Sequence, residues 1–448
     1  MTTPILVGDL ELTQPISDVE LPPRDDGMQY GGVRLLVRMQ GMPVGYVSIL
    51  PDEVDATSVA RAAWQQLSSS INQRRSQHGL SPITKLPLAG MPAETELAEE
   101  VNGRPAISIV LCTRDRPESL IVTLRGIATL RYTPFEIVVV DNAPSTDMTR
   151  AAFEAEFGND PRFRYVCEPR PGSSCAKNRG IAESTADIVA FTDDDVRVDQ
   201  WWLDGIVRGF EQADDVACVT GLVRTAVLDT VAQLYFDVRQ DWGSSCERRI
   251  FDLVEHRHDS PLYPYSNVFG AGANFAMKRT ALEQLGGFDE ALGAGTLCGG
   301  GEDLDVFVRT VLAGHRLVYE PSAIVSHVHR AELSDLEKQM GTYGSGATAA
   351  LTALVLRNRR ARYELLSKLI IGAVRILAIG KRTKDQPTLP SGLVGKELRG
   401  MTRGPWLYLK ARHKLRRSEY RLAESSVEDQ HGVRTSSWRR SDPGKGHI

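Results

Sequence analysis

The pattern of apolar and polar residues changes at about position 106 of this 448-residue chain. From there, short continuous apolar runs alternate with segments of helical periodicity, and Pro117 suits the first turn of a helix. Strands that alternate with helical segments of about 10–15 residues are typical of βαβ units, so the pattern predicts an α/β fold with a mostly parallel sheet between helices. The predicted strands are AISIVLC (106–112), FEIVVVD (135–141), FRYVCE (163–168) and DIVAFTD (187–193).

Residues 1–100 have a different pattern, which predicts a small N-terminal α+β accessory region. VRLLVRMQGMPVGYVSILP (33–51) alternates apolar and polar residues around glycine turn signals, which favours a β-hairpin. TSVARAAWQQLSSSINQRR (57–75) has helical periodicity. Residues 82–105 are rich in Pro, Gly and Glu, so we expect a linker that leads into the α/β domain at about residue 101.

In the second half of the predicted α/β domain (101–335), the sequence pattern predicts two more groups of strand and helix. Residues 268–289 give a glycine turn, a strand and a helix, and residues 298–330 give a loop, a helix, a strand and a histidine pair. For residues 336–417 we expect a basic helical extension. Residues 418–448 are polar and charged, so we expect a disordered tail.

Composition and charge narrow the functional classes. The formal net charge of −4 gives no global indication of nucleic-acid binding. Six scattered cysteines without a C-x-x-C spacing argue against a zinc ribbon or a disulfide framework, and they fit reduced thiols in the cytoplasm. The N-terminus lacks the features of a signal peptide, and no stretch approaches the roughly 18 apolar residues that a spanning helix needs.

A strongly basic segment lies near the C-terminus. Between Arg357 and Arg417 there are 17 Lys/Arg and 3 Asp/Glu. Within it, Leu365–Ile379 is apolar, with Lys368 and Arg375 on nearly one helical face. One interpretation is an amphipathic surface that attaches peripherally to anionic lipid at the inner face of the membrane. The other is a helical domain that packs on the rest of the chain with a solvated basic face.

Three adjacent aspartates follow the apolar run Ile188–Phe191. Residues i and i+2 of an extended segment point the same way, so Asp193 and Asp195 can face one site while Asp194 points elsewhere. Two carboxylates at the end of a strand suit Mg²⁺ or Mn²⁺. A solvated acidic turn explains the triplet equally well, and Asp199 is the better helix cap.

Two further groups carry candidate chemistry. In GGGEDLD, Glu302 and Asp303 begin a helix whose apolar stripe lies elsewhere, so Asp303 could act as a general base. Both acids could instead simply complement the helix N-terminus. Downstream, His327 and His329 lie at i and i+2, where one imidazole could bind a metal or both could be structural.

Six motifs occur in order between Ala106 and Arg330: AISIVLCTRDRPESL, FEIVVVDNAPSTD, PGSSCAKNRGIAES, IVAFTDDDV, GAGANFAMKR and GGGEDLDVFVR. Together they resemble a family 2 glycosyltransferase with the Rossmann-like GT-A fold. The resemblance implies transfer of a sugar from a nucleotide-diphosphate sugar to an acceptor hydroxyl, with inversion and with Mn²⁺ or Mg²⁺ as cofactor. Cell-envelope, polysaccharide and secondary-metabolite glycosylation are the pathways it suggests.

The resemblance also implies roles for individual residues. Asp193, Asp195 and His327 match the metal site, with His329 as the fallback ligand, and Asp303 matches the catalytic base with Glu302 beside it. Lys177 stands where the family usually has arginine, so it offers a point charge without bidentate geometry. The residues that match positions near the nucleotide are Thr113, Arg114, Asp115, Asp141, Lys177, Asn178 and Asp194.

Other classes of protein fit the sequence less well. A dinucleotide-dependent dehydrogenase or a nucleotidyltransferase needs a glycine-rich loop after its first strand, and CTRDRPES has no glycine. A non-catalytic nucleotide-sugar-binding or scaffold protein is the alternative, but binding alone does not require a base such as Asp303. The sugar, the nucleobase and the acceptor are set by pocket details that a sequence does not give.

Overall fold

Two sheets organise the part of the chain that the computed structural model describes, namely residues 3–77, 79–92, 104–239, 245–254, 269–359, 362 and 392–428. The strands are β1 Ile5–Glu11, β2 Gly32–Met39, β3 Met42–Ile49, β4 Ile107–Thr113, β5 Phe135–Asn142, β6 Phe163–Glu168, β7 Ile188–Asp193, β8 Val196–Val198, β9 Val216–Thr225, β10 Arg249–Phe251, β11 Asn274–Lys278 and β12 Arg316–His327. The helices are α1 Ala56–Gln77, α2 Pro117–Ala128, α3 Met148–Phe157, α4 Ser173–Glu183, α5 Trp202–Phe210, α6 Val231–Arg239, α7 Arg279–Leu285, α8 Glu302–Leu312, α9 Leu333–Arg357 and α10 Leu393–Glu428.

The N-terminal sheet has the order β1-β2-β3, and the predicted hairpin and helix are confirmed as β2–β3 and α1. The hairpin turns at Gln40 and Gly41, both with positive φ, which is the conformation that tight two-residue turns require. The carboxylate of Glu11 accepts hydrogen bonds from both of these backbone N–H groups, at 2.9 and 2.8 Å. The sequence pattern did not predict β1, which pairs in parallel with β2.

The large sheet has the order β10-β12-β9-β11-β7-β4-β5-β6, with β8 paired to β12. Its β7-β4-β5-β6 half is parallel, as the apolar runs predicted. The other half is mixed, because β11 runs antiparallel to both β7 and β9. The predicted α/β fold is therefore confirmed, with a continuous run of parallel strands in one half of the sheet.

The N-terminal region packs against the large domain instead of standing apart from it. Leu36 of β2 is fully buried in the same apolar cluster as the central sheet. Arg38 pairs with Asp199 at 2.6 Å, and Arg24 pairs with Asp229 at 2.6 Å. Within the predicted linker, Met91 is buried on the N-terminal core, and residues 93–103 lie outside the described residues.

The C-terminal extension is helical, as predicted, and α9 packs closely along α10. Glycines permit this approach: a Cβ on Gly344 would lie 2.1 Å from the carbonyl oxygen of Glu397, and one on Gly400 would lie 2.1 Å from that of Gly341. The predicted apolar segment Leu365–Ile379 lies outside the described residues. The helix continues to Glu428, so the tail predicted from residue 418 overlaps it, and residues 429–448 are not described. No helix within the described ranges is long and apolar enough to cross a bilayer.

Candidate active site

A cavity of about 480 Å³ lies at the carboxyl ends of β4 and β7, where ligands of α/β sheets usually bind. The sheet side of its lining includes the ends of these strands and of β12. Loops 270–273 and 294–301 and the helices α9 and α10 also contribute to the lining. The polar side chains among its lining residues are Thr113, Arg114, Arg116, Asn142, Ser173, Lys177, Asp193, Asp194, Asp195, Glu302, Asp303, His327, His329, Arg330, Gln339, Tyr343 and Glu397.

The first cluster in the cavity combines Asp193, Asp195 and His327, whose potential ligand atoms all lie within 4.8 Å of one another. Antiparallel pairing of β8 with β12 brings His327 next to the aspartates, and its Nε2 lies 3.2 Å from Asp195 Oδ1. The buried Nδ1 of His327 has no hydrogen-bond partner among the described residues, and no described group donates to the Asp193 carboxylate. Two carboxylates and one imidazole with free capacity fit a Mn²⁺ or Mg²⁺ ion.

Asp194 is not part of this cluster. Strand alternation, on which we based that expectation, is not the reason, because β7 ends at Asp193 and both Asp194 and Asp195 lie in the turn before β8. Thr113 Oγ1 donates to the Asp194 carboxylate at 2.7 Å, and Arg116 pairs with it at 2.5 Å. Arg116 also pairs with Asp195 at 3.0 Å, so one guanidinium bridges two adjacent aspartates. The sequence motif indicated Arg114 and did not indicate Arg116. Arg114 also lines the cavity, but its side chain is exposed.

The three adjacent carboxylates differ in their proton affinity. Burial raises the pKa of Asp193, and the negative charge of Asp195 raises it further. Burial also acts to raise the pKa of Asp195, but the hydrogen bond with His327 and the charges of His327 and Arg116 outweigh it, so that pKa lies well below its usual range. Burial raises the pKa of Asp194 to about 6, against the lowering effect of Arg116. Asp195 is therefore the member that ionises most readily.

The second cluster lies at the start of α8, where Gly301, in the left-handed region with φ 92°, leads into Glu302 and Asp303. Lys177 Nζ donates to Glu302 Oε1 at 2.9 Å, and Ser173 Oγ donates to the same oxygen at 2.8 Å. Both Lys177 and Glu302 are buried. Lys177 is therefore engaged by an acid of the site itself.

Among the described residues, only backbone N–H groups donate hydrogen bonds to the Asp303 carboxylate. Its Oδ2 accepts from Gly272 N–H at 3.1 Å, and its Oδ1 accepts from Leu304 N–H at 2.8 Å. A Cβ on Gly272 would lie 2.9 Å from Asp303 Oδ2, so only glycine allows this close approach. Burial raises the pKa of Asp303, and the charge of Glu302 raises it further. Burial would also raise the pKa of Glu302, but Lys177 outweighs it and lowers that pKa.

Three of the residues predicted near the nucleotide lie outside the lining of this cavity. Asp115 Oδ1 accepts from Ser145 N–H at 2.8 Å, and the buried Asp141 accepts from Tyr165 OH at 2.6 Å. Asn178 uses its amide on the loop before α8: it donates to the Phe288 carbonyl at 3.0 Å and accepts from the Phe288 N–H at 2.8 Å. Their contacts to a nucleotide stay predictions.

The helical wall of the cavity was not predicted. Gln339, Met340 and Tyr343 reach it from α9, and Glu397 and Met401 reach it from α10. Gln339 Nε2 donates to Tyr343 OH at 3.0 Å, while its Oε1 is buried without a partner among the described residues. These positions carry no motif, because helix packing alone selects which side chains of a long helix face the cavity.

The histidine pair divides into two environments. His329 stacks on His327, with ring centroids 4.9 Å apart, and packs at a tilt against Phe236, with centroids 4.2 Å apart. Burial and the neighbouring charge of His327 lower the pKa of His329 to about 3. For His327 burial also acts to lower the pKa, but the hydrogen bond and charge of Asp195 outweigh it and raise that pKa. His327, not His329, is the member within reach of the aspartates.

Comparison with known proteins places the chain among sugar-transfer proteins. Residues 108–286 match the family "Glycosyl transferase family 2". The chain is 30% identical to the succinoglycan biosynthesis protein ExoM of Rhizobium meliloti over 252 residues, which are 54% of this chain and 73% of ExoM. It is 28% identical to the glucosyl-dolichyl phosphate glucuronosyltransferase of Haloferax volcanii over 228 residues, 49% of this chain and 68% of that protein.

Two further comparisons show weaker similarity. The pre-mycofactocin glycosyltransferase of Mycobacterium tuberculosis is 27% identical over 250 residues, 54% of this chain, and the chain spans only 46% of that relative's length. Among solved structures, the mannosyltransferase PcManGT from Pyrobaculum calidifontis, in complex with GDP-Man and Mn²⁺, superposes with a TM-score of 0.48 at 18% identity, over 78% of this chain and 97% of that one. With its six motifs, its family match and its relation to ExoM, this chain belongs to glycosyltransferase family 2.

Proposed function

We propose that this protein is a metal-dependent, inverting glycosyltransferase that moves a sugar from a nucleotide-diphosphate donor to an acceptor hydroxyl. One observation carries the proposal: a cluster that fits a divalent cation and a cluster that offers a general base line the same cavity. Inversion requires the nucleophile to attack the face of the sugar opposite the leaving group. Under this proposal the cation cluster binds the leaving group on one face of the sugar, and the base cluster serves the opposite face.

The donor diphosphate belongs at the first cluster. Asp193, Asp195 and His327 would hold the cation, which when bound offsets the negative charge of the departing nucleoside diphosphate. Arg116 is held by Asp194 and Asp195 next to this position, and Arg114 lines the cavity nearby. The chain thus adds cationic side chains on the side where phosphate oxygens bind.

Asp303 is the proposed general base. It takes the proton from the acceptor hydroxyl as that oxygen bonds to the anomeric carbon, and the bond from this carbon to the diphosphate oxygen breaks. The N–H groups of Gly272 and Leu304 orient the carboxylate. Because Lys177 engages Glu302, Asp303 is the acid that remains for the proton transfer.

The acceptor approaches from the helical wall of the cavity. Tyr343, Gln339 and Met401 lie there, outside residues 108–286, the part that matches the family. These side chains come from α9 and α10, whereas the proposed base and cation ligands come from the α/β domain, and we propose that this wall selects the acceptor. An envelope glycan, a lipid-linked sugar or a small metabolite in the cytoplasm would each supply the hydroxyl.

A panel of nucleotide sugars tests the proposal. With Mn²⁺ present, we expect one donor to bind and to be slowly hydrolysed, with both activities lost on chelation and in Asp195→Ala. Asp214→Ala, an exposed aspartate away from the cavity, is the matched control and should behave like the native protein. Donor binding without hydrolysis or transfer would favour the scaffold alternative. If no donor bound and Asp195→Ala changed nothing, the enzyme proposal would fail.

A further inference from the structure

The last helix, α10, has one face against α9 and an opposite face without cover among the described residues. Its inner positions are Gly400, Gly404, Tyr408 and Ala411, all buried. Its outward positions carry large apolar side chains: Leu398 is 39% exposed, Leu409 51% and Trp406 61%. Intervals of three and four residues connect 398, 402, 406 and 409, so these side chains form one stripe on the helix.

Positive charge borders this stripe. Among the residues of α10 up to Arg417, the one acid is Glu397, which faces the cavity. Lys410 Nζ lies 4.9 Å from the centroid of the Trp406 ring, so a cation and the largest exposed apolar group are adjacent. The exposed basic residues of the helix are Lys396, Arg399, Arg403, Lys410, Lys414, Arg416 and Arg417.

We propose that this outward face of α10 binds the surface of an anionic lipid bilayer. A tryptophan and two leucines flanked by lysine and arginine are the composition of an interfacial amphipathic helix, in which the ring sits at headgroup depth. Charge complementarity selects the occupant, because no acid among the described side chains of α10 is exposed and anionic lipid attracts its basic residues; of these, Lys396 is paired with Glu337 of α9. Three apolar side chains in a narrow stripe are too few to form the apolar core of a stable protein interface.

The binding would bring the cavity close to the bilayer. Glu397 and Met401 line the cavity from the same helix, so the lipid face and the cavity wall are separated by about the 10 Å thickness of one helix. Resting on the proposed function, this geometry favours an acceptor hydroxyl carried on a lipid. Membrane binding itself does not depend on transferase activity, so each can fail without the other.

Vesicle co-sedimentation of the full chain tests the proposal. With vesicles of equal parts phosphatidylglycerol and phosphatidylcholine, we expect binding that weakens as salt rises; with phosphatidylcholine alone, little binding. Trp406→Ser with Leu409→Ser should lower the partition coefficient by at least tenfold. Lys410→Glu with Lys414→Glu should lower it by at least roughly 25-fold, since each cation contributes roughly fivefold.

Matched controls distinguish binding by this face of α10 from nonspecific binding by exposed apolar side chains elsewhere on the protein. Val122 and Met148 are exposed apolar residues of the α/β domain, 54% and 62% exposed, and Val122→Ser with Met148→Ser should leave binding unchanged. Circular dichroism and donor binding check that the α10 variants remain folded. Absence of binding to the anionic vesicles, or equal binding by the α10 variants, would overturn the proposal. A dimer that the Trp406 and Leu409 substitutions dissociate would also overturn it, because the face would then bind a second copy.

Discussion

The two acidic clusters of the cavity follow the same plan with different partners. In each cluster, one carboxylate is paired with a cationic side chain. In the first cluster Asp195 pairs with His327 and Arg116, and Asp193 is the remaining acid. In the second cluster Glu302 pairs with Lys177, and Asp303 is the remaining acid. The remaining acid has a raised pKa in both clusters, caused first by burial and then by the charge of its partner acid.

The difference lies in what surrounds the remaining acid. Asp193 faces two further potential ligand groups within 4.8 Å, whereas in the described part of the chain Asp303 accepts hydrogen bonds from backbone N–H groups alone. The surroundings of Asp193 suit binding of a metal cation, whereas those of Asp303 suit uptake of a proton. Two pairs of acids, each close together in the sequence, are thus fitted to different chemistry by their neighbours.

The largest expected effect comes from removing the carboxylate of Asp303. Asp303→Asn keeps the shape and loses the base, so we expect transfer to fall by about 10²–10⁴-fold while the donor Kd changes by less than roughly twofold. Steady-state kinetics and calorimetric donor titration measure the two quantities. Loss of donor binding in this variant would instead make Asp303 a donor ligand and end its assignment as base.

An intermediate effect is expected from separating Lys177 and Glu302. Lys177→Met leaves a buried carboxylate without its partner, which should lower the free energy of unfolding by about 3–5 kcal/mol. Adding Glu302→Gln removes that charge and should restore most of the stability. Denaturant unfolding measures both variants, with Lys338→Met of the exposed Lys338–Asp335 pair as a control without effect. A double variant as unstable as the single one would show that Lys177 stabilises by packing.

The smallest effect is a shift along the pH axis. The base must be ionised, so kcat/KM should fall as pH drops through the raised pKa of Asp303. Glu302→Gln removes the second cause of that increase and should move this acidic limb to lower pH. A pH–rate profile measures the shift, with Asp214→Asn as a distant control. Movement to higher pH would contradict the coupling between these two acids.

The regular parts of the fold could be predicted because their signals are local. Continuous apolar runs predicted β4 to β7, and helical periodicity predicted α1 and the helices between these strands. The three-residue strands β8 and β10 are too short to show a period, and β1 joins its sheet through a partner 27 residues away. Such strands are fixed by their neighbours, so their own residues carry little signal.

The site could be predicted only as a set of positions. Strand ends and motifs indicated Asp193, Asp195, Asp303 and His327, all of which line the cavity. The same motifs did not indicate Arg116, or the contact of Lys177 with an acid 125 residues away. Motifs record residue types in order, whereas ion pairs depend on which side chains the packed chain brings within a few ångströms.

The sequence by itself determined the α/β class, the parallel half of the sheet and the acids at its carboxyl edge, because the two-residue and 3.6-residue periods are properties of a short segment. Only the tertiary structure decided how the charges of those acids are balanced and which helices complete the cavity. Its α9 and α10 wall depends on glycines at their contact and on a fold that returns the chain to the sheet edge. The ion pairs of the acids and the shape of the cavity on its helical side depend on contacts between segments that are far apart in the sequence. No single segment therefore encodes them.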